Sequence, residues 1–233
     1  MNKYSKTKTF AKVCCLMLIS INANAKISQP YFTSKNLSFE IIDKPLDRKS
    51  QEYKNEISQI IALQSNPDIA ELELAFQEKN FTALTLMKRA NIKANPKTHP
   101  QLFALLNRVT DTSISVTDDF KNYWQTKRPY LSDKRIKKLI ASSKGYAYPS
   151  GHTSGSFIFA HVLGMIYPKK YSKLLEIAQE IADHRILVGM HFPHDIVGGK
   201  KLALFVVGGL IQNKEFENDL LVAKKELKKN FIN

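Results

Sequence analysis

Apolar residues recur at helical spacing along most of this 233-residue chain. In residues 53–64, for example, Ile57, Ile60 and Ile61 fall on one face of a predicted helix. The same spacing predicts further helices over residues 68–77, 80–90, 102–109, 153–166, 172–188 and 215–229. Residues 37–42 alone resemble a strand, and 233 residues suffice for one sizeable core. We therefore expect an all-α fold, a single-domain helical bundle.

The N-terminus has the three parts of a secretory signal peptide. Four lysines precede a short apolar run over residues 13–21, and Ala23-Asn24-Ala25 follows it as a small-x-small cleavage site. A membrane anchor or a buried helix is the alternative, but the run is too short to span a bilayer. We predict a cleaved signal over residues 1–25, a domain over residues 26–233, and a periplasmic or secreted protein. Both cysteines, Cys14 and Cys15, lie within that signal, so the mature chain forms no disulfide.

The chain carries a formal net charge of +14, and it stays strongly basic after loss of the predicted signal. A basic surface attracts nucleic acid, anionic lipid or an anionic substrate, and composition does not choose among them. The sequence contains no nucleic-acid-binding module, and its single tryptophan, Trp124, offers no stacking ladder. The longest apolar run after the signal, residues 202–211, is too short for a transmembrane span.

The first of three chemically informative motifs contains Lys121 and Arg128. Thr117 resembles a helix start and Pro129 a helix stop, so a helix between them would put the two cations two turns apart on one face. Two cations so placed could hold two oxygens of one phosphate. A solvated basic helix face is the simpler explanation of this motif when it is considered alone.

The second motif is Pro149-Ser150-Gly151-His152, which precedes the predicted helix over residues 153–166. Backbone N–H groups and the helix dipole favour an anion at such a helix start, and Gly151 would let it approach closely. His152 would then lie beside the bound group and could protonate a leaving oxygen. The alternative is an ordinary capped helix with an exposed histidine.

The third motif runs from Arg185, near the end of the predicted helix over residues 172–188, to Asp195. Asp195 follows His191 by four residues, within reach of a carboxylate–imidazole hydrogen bond that would orient the ring and stabilise its charged form. A metal site built from His191, His194 and Asp195 is the competing interpretation. The sequence offers no accompanying ligand set of the usual kinds, so we predict no metal.

Together, in this order and spacing, the three motifs resemble the signature of the type 2 phosphatidic acid phosphatase (PAP2) superfamily. The small chain with a predicted signal and no span is most similar to the bacterial class A non-specific acid phosphatases. The resemblance implies an all-α fold and hydrolysis of phosphomonoesters through a phosphohistidine, without metal or cofactor. It also implies inhibition by phosphate or vanadate. The implied roles are phosphate binding by Lys121, Arg128, Ser150, Gly151 and Arg185, general acid catalysis by His152, and nucleophilic catalysis by His191, oriented by Asp195.

One residue departs from that pattern. The family usually has serine immediately before the arginine of the third motif, and here that residue is His184. Its imidazole could donate to phosphate, or it could point away and leave one donor missing. Other functions stay open: a peripheral phosphatase for lipid or lipid-A-like phosphates, a vanadate-dependent peroxidase, and a non-catalytic basic binding protein. Assembly into a homo-oligomer is also open.

Overall fold

The computed structural model describes residues 29–141 and 145–230, so the predicted signal peptide lies outside the described residues. All regular structure in these two ranges is helical, which confirms the all-α prediction. The α-helices are α1 (Gln51–Ser65), α2 (Ile69–Gln77), α3 (Ala83–Arg89), α4 (Pro100–Trp124), α5 (Pro129–Ser132), α6 (Gly151–Ile166), α7 (Tyr171–Leu187), α8 (Pro193–Ile211) and α9 (Lys214–Asn230). Short 3₁₀ turns cover Ser34–Asn36, Phe39–Ile41, Glu78–Asn80 and Pro168–Lys170.

Helix α6 is the centre of the bundle, and it packs against α4, α7 and α8. It is apolar on almost every side, with Ile158, Val162 and Leu163 fully buried. A helix that is hydrophobic all round is stable only when neighbours cover it, and these three helices do so. Because α6 begins within the second motif, this packing also fixes the position of that motif in the bundle. None of the helices described here is long and apolar enough to cross a membrane.

The predicted strand over residues 37–42 is wrong. This segment contains the 3₁₀ turn Phe39–Ile41, and its Phe39 ring packs edge-on against Phe120 of α4, with the centroids 4.9 Å apart. A strand needs a neighbouring strand to satisfy its backbone, and the described ranges contain none. Side-chain packing on α4 therefore decides the conformation of this segment.

The predicted helix between Thr117 and Pro129 is also wrong. One helix, α4, runs from Pro100 to Trp124, and Thr117 is buried in its interior, where its hydroxyl lies 3.1 Å from Ser154 Oγ. The helix is followed by its C-cap residue Gln125, which has a left-handed backbone (φ 49°). Arg128 therefore lies outside α4, immediately before α5, and it does not share a helix face with Lys121.

Candidate active site

The three motifs converge on one cavity of about 780 Å³ between the ends of α4, α6 and α7. Side chains from all three motifs line it, although they are separated by up to seventy residues in sequence. Of the predicted site residues, the following line the cavity: Lys121, Arg128, Gly151, His152, Arg185 and His191. Asp195 lies behind His191, and Ser150 lies behind Gly151. Six of the eight predicted site residues therefore line the same cavity.

Close packing of α8 on the start of α6 brings the second and third motifs together. The Ser150 N–H donates to the Asp195 backbone carbonyl at 3.0 Å. Gly199 makes this approach possible, because an added Cβ there would lie 2.8 Å from the Ser150 carbonyl oxygen and 2.9 Å from Thr153 Cβ. Both contacts are shorter than carbon atoms normally allow. A small residue at this position is therefore part of how the site is assembled.

A sharp turn at Gly189 carries the chain from Arg185 to His191. The N–H groups of Met190 and His191 both donate to the Arg185 carbonyl, at 3.0 and 3.1 Å. Gly189 has φ +72°, a left-handed conformation, and an added Cβ would lie 2.4 Å from the Lys137 carbonyl oxygen. This turn places the guanidinium and the imidazole on the same cavity.

The hydrogen bonds of His191 define its tautomer. Arg128 Nη1 lies 3.1 Å from His191 Nε2, and a guanidinium can only donate, so Nε2 carries the lone pair. Nδ1 then carries the proton and donates to Asp195 Oδ2 at 3.3 Å. Burial, followed by the charges of Arg128 and Lys121, lowers the pKa of His191 well below its ordinary value. The ring is therefore neutral, with an electron pair directed toward the cations.

Asp195 is fully buried at the start of α8. Its Oδ2 accepts a hydrogen bond from the Phe192 N–H at 2.8 Å in addition to the one from His191. Burial raises the pKa of Asp195 to about 6, although the neighbouring His194 acts in the opposite direction. The carboxylate is thus held rigidly beneath the imidazole, where it can stabilise positive charge on that ring.

Lys121 and Arg128 reach the cavity from different directions. Lys121 Nζ donates to the carbonyls of Tyr146 and Ala147 at 2.8 and 3.1 Å. Arg128 Nε donates to the Gly145 carbonyl at 3.2 Å. Burial and the charge of Arg128 lower the pKa of Lys121 to about 7, and burial also lowers the pKa of Arg128. Two cations this close repel each other, and an anion between them would relieve that repulsion.

Arg185 is the most deeply buried of the three cations, with 1% of its surface exposed. Its Nη2 donates to the Ala75 carbonyl at 2.9 Å and lies 3.5 Å from Glu78 Oε2. Its Nε and Nη1 are buried and have no hydrogen-bond partner among residues 29–141 and 145–230. Burial lowers the pKa of Arg185 to about 10, so the group stays charged near neutrality. Two unsatisfied donors on a buried guanidinium beside a cavity indicate an anion-binding site.

His152 is the second residue of α6, and its ring lies at the cavity wall. Its Nε2 lies 3.1 Å from the Glu78 carbonyl and 3.3 Å from the Lys79 carbonyl, so Nε2 carries a proton. Burial and the charge of Arg185 lower the pKa of His152 to about 4. The ring is therefore neutral near pH 6, and a bound anion would raise its pKa by offsetting the cationic charge.

Ser150 does not line the cavity. Its fully buried hydroxyl caps α6, where it accepts from the Thr153 N–H at 3.4 Å and from Thr153 Oγ1 at 3.0 Å. Its own N–H is bonded to Asp195, as described above. Its predicted role as a phosphate donor stays a prediction, and the contacts give it a clear structural role at the start of α6.

Glu78 is a residue that the sequence motifs did not indicate. The residue is 1% exposed, and its carboxylate accepts from Arg89 Nη1 at 2.5 Å and from His184 Nδ1 at 2.6 Å. His184 Nε2 bonds Glu71 at 2.6 Å, so the imidazole points away from the cavity. Burial opposes protonation of His184, but hydrogen bonds to Glu78 and Glu71 prevail and raise its pKa. The unexpected histidine was the only sequence signal of this network.

The described residues do not support the alternative of a metal site built from His191, His194 and Asp195. Among the described residues, no three His, Cys, Asp or Glu side chains are grouped so that they could hold a metal ion. His194 is bonded through Nδ1 to Glu56 at 2.5 Å and stacks on Phe192, with the ring centroids 5.3 Å apart. His194 therefore belongs to the packing around Asp195 rather than to the cavity lining.

Two similar proteins of known sequence are both named acid phosphatases. An acid phosphatase of Zymomonas mobilis is 31% identical over 134 residues, which cover 56% of this chain and 51% of that protein. A non-specific acid phosphatase of Providencia stuartii is 30% identical over 138 residues, which cover 57% of this chain and 56% of that protein. This chain thus spans about half the length of the curated relatives it matches.

Among solved structures, a transmembrane PAP2-type phosphatidylglycerolphosphate phosphatase from Bacillus subtilis aligns with 74% of this chain and 97% of its own, at a TM-score of 0.40 and 18% identity. The family model that matches is that of the PAP2 superfamily, over residues 102–218, half of the chain. That range contains all three motifs and every side chain that the sequence predicted for the site. The chain belongs to the PAP2 superfamily.

Proposed function

We propose that the protein is a phosphoric monoester hydrolase, an acid phosphatase that works through a phosphohistidine and without a metal ion. The observation that carries the proposal is the buried guanidinium of Arg185, whose Nε and Nη1 lack partners within the described ranges, beside the neutral His191 ring. A phosphoryl group would satisfy those donors and meet a nucleophilic nitrogen at once. The curated relatives are named acid phosphatases, which supports the same activity.

In the first step, the Nε2 lone pair of His191 attacks phosphorus as the bond to the ester oxygen breaks. The phosphoryl oxygens take hydrogen bonds from Arg128, Arg185 and Lys121, which stabilise the charge of the transition state. His152 donates a proton to the departing oxygen, so that a neutral alcohol leaves. The product is a phosphohistidine whose ring charge is stabilised by Asp195.

In the second step, water attacks the phosphorus of the phosphohistidine. His152, now deprotonated, accepts a proton from that water, and the bond between phosphorus and His191 Nε2 breaks. Inorganic phosphate leaves, and both histidines return to their starting states. Proton and phosphoryl transfer therefore balance over the two steps without any other reactant.

The pKa values of the two histidines suit this cycle in mildly acid solution. His191 keeps its lone pair there, because its pKa is well below the ordinary value. His152 has a pKa of about 4 before substrate arrives, and a phosphate dianion would raise it by offsetting the charge of Arg185 and Arg128. Substrate binding would therefore raise the pKa of His152, so that its ring is protonated when it must donate a proton to the leaving oxygen.

A panel of aryl phosphomonoesters tests the proposal. We expect turnover that is unchanged by a chelator and inhibited by vanadate, which resembles the transferring phosphoryl group. Loss of turnover with the chelator and its return with a divalent cation would contradict the metal-free mechanism. Rapid acid-quench with radiolabelled substrate should label the protein, and His191→Ala should abolish the label. His161→Ala is the matched control, because that ring bonds Tyr171 and lies outside the cavity.

We also propose that the protein is exported to the periplasm or secreted after cleavage of residues 1–25. The basic, apolar and small-x-small parts of that segment support export. Intact-mass measurement of protein recovered from the periplasm or the medium should give a chain beginning at Lys26. Protein found only inside the cell with residues 1–25 attached would contradict this part of the proposal.

A further inference from the structure

A second cavity of about 370 Å³ adjoins the phosphate-site cavity. The two cavities share four lining residues, Ser113, Ile114, Gly151 and His152. His152, the proposed general acid, therefore stands at the boundary between them. A group that leaves phosphorus after taking a proton from His152 would be next to the second cavity.

The lining of this second cavity is mostly apolar, with four uncharged polar residues: Thr82, Asn107, Thr110 and Ser113. Phenylalanine and aliphatic side chains come from α3, α4, α6 and the segment before α3: Phe81, Ala83, Leu84, Phe103, Leu106, Ile114 and Phe159. In the part of the chain that the structure describes, His152 is the only ionisable residue of the lining. The phosphate-site cavity, in contrast, is lined by several charged groups. A charged or strongly hydrated group would lose its hydration in the second cavity without finding a counter-charge.

Glycines of α6 help to form the floor of this cavity. Gly151 and Gly155 are four residues apart, so they lie one above the other on the same helix face. A Cβ on Gly155 would lie 3.4 Å from the Phe81 ring and 3.8 Å from Ser113 Oγ. Leu84, another lining residue, is 44% exposed. The cavity therefore presents uncovered apolar surface directly beside the proposed chemistry.

We propose that this cavity binds the apolar part of the alcohol or phenol that leaves phosphate. The preferred substrates are then monophosphate esters of aryl or apolar alkyl groups, rather than of polyols. This inference rests on the proposed phosphatase activity. The cavity would favour such esters by stabilising the transition state, because the leaving group gains apolar contacts while its bond to phosphorus breaks.

Two esters with leaving groups of similar acidity test the inference: phenyl phosphate and 2-naphthyl phosphate. We expect kcat/KM to be roughly tenfold or more higher for the naphthyl ester, because one added apolar group in a fitting pocket changes discrimination by about that factor. Glycerol 2-phosphate should be the poorest of the three. Equal kcat/KM for phenyl and naphthyl esters would overturn the inference.

Two variants locate the effect. Gly155→Leu adds a bulky side chain to the cavity lining. Leu84→Asp adds a charge to the lining at a residue that is 44% exposed, so this variant should fold. Each should reduce the naphthyl-to-phenyl ratio of kcat/KM toward one, while inhibition by inorganic phosphate stays within about twofold. Gly208→Leu is the matched control, because nothing lies within 4 Å of a Cβ added there. A ratio that stays at the wild-type value in Leu84→Asp would place the leaving group elsewhere.

The outcomes separate this inference from the function on which it rests. If no phosphomonoester is hydrolysed, the proposed function itself fails. If esters are hydrolysed but the ratio is insensitive to Gly155→Leu and Leu84→Asp, only the assignment of the second cavity fails.

Discussion

Replacing the buried carboxylate of Glu78 should destabilise the protein far more than replacing the exposed carboxylate of Glu71. Both accept a hydrogen bond of 2.6 Å from His184, so Glu78→Gln and Glu71→Gln form a matched pair. The Glu78 side chain is 2% exposed, and it also contacts Arg89 and Arg185. The Glu71 side chain is 49% exposed. Glu78 therefore differs from Glu71 both in its burial and in its two arginine contacts.

The magnitudes follow from that difference. Removing one partner of a buried ionic network leaves charges uncompensated, and this costs about 3–5 kcal/mol. A solvent-exposed pair contributes about 0–1 kcal/mol. In a domain of this size each kcal/mol corresponds to about 2–4 °C in Tm, so Glu78→Gln should lower Tm by roughly 6–20 °C and Glu71→Gln by at most about 4 °C. Urea unfolding and thermal unfolding at pH 5.5 measure both.

The pH dependence gives a second and sharper readout. The pKa of His184 is raised in the folded state, so its contribution to stability is complete below its unfolded pKa, about 6.5, and is lost as pH rises through the folded value. Wild-type stability should therefore fall between neutral and alkaline pH, and Glu78→Gln should flatten that fall. Equal Tm losses in the two variants, or an unaltered pH profile in Glu78→Gln, would refute the reasoning.

Three further predictions concern the cavity and its packing. Arg128→Ala should lower kcat/KM on the order of 10²-fold and weaken vanadate inhibition, measured by steady-state kinetics. Because the pKa of Lys121 is lowered to about 7 and a bound anion raises it, phosphate binding above pH 7 should take up protons in calorimetry and weaken as pH rises. Gly199→Ala should lower the free energy of unfolding by about 1–3 kcal/mol, since the Ser150 carbonyl cannot move away, whereas Gly208→Ala should not destabilise.

The helices were predictable because their signals are local. Apolar spacing placed α1, α6 and α7 to within a few residues, and α8 begins at Pro193, a residue that is favoured in the first turn of a helix. The predicted helix over residues 102–109 lies at the start of α4, but its continuation to Trp124 was missed because Thr117 has the character of a cap, while its hydroxyl pairs with Ser154 of another helix. A local rule cannot anticipate a partner 37 residues away. The strand over residues 37–42 failed for the same reason, since its packing partner is on α4.

The site was predictable as a set of residues but not as a geometry. Motif spacing indicated His152, Arg185 and His191, and all three line one cavity. Nothing in the sequence indicated Glu78, because an acid in a stretch with other acids resembles a solvated helix face. Its importance arises only when folding brings His184 against it, 106 residues away. Local sequence patterns thus do not predict contacts between segments that are far apart in the sequence.

The basic groups around the cavity share one property, a pKa lowered by burial, that connects the fold to the proposed chemistry. Around the cavity, burial lowers the pKa of Lys121, His152, Arg185 and His191 together, so that both histidines are neutral near pH 6 while Arg185 stays charged. Asp195 and Glu78 do not line the cavity, whereas Asp118 does. Among the described residues, the cavity lining therefore holds four basic side chains, Lys79, Lys121, Arg128 and Arg185, and one carboxylate, Asp118. A phosphoryl dianion would be stabilised by this excess of basic groups, and its binding would raise the pKa of His152, which the proposed mechanism requires as a proton donor.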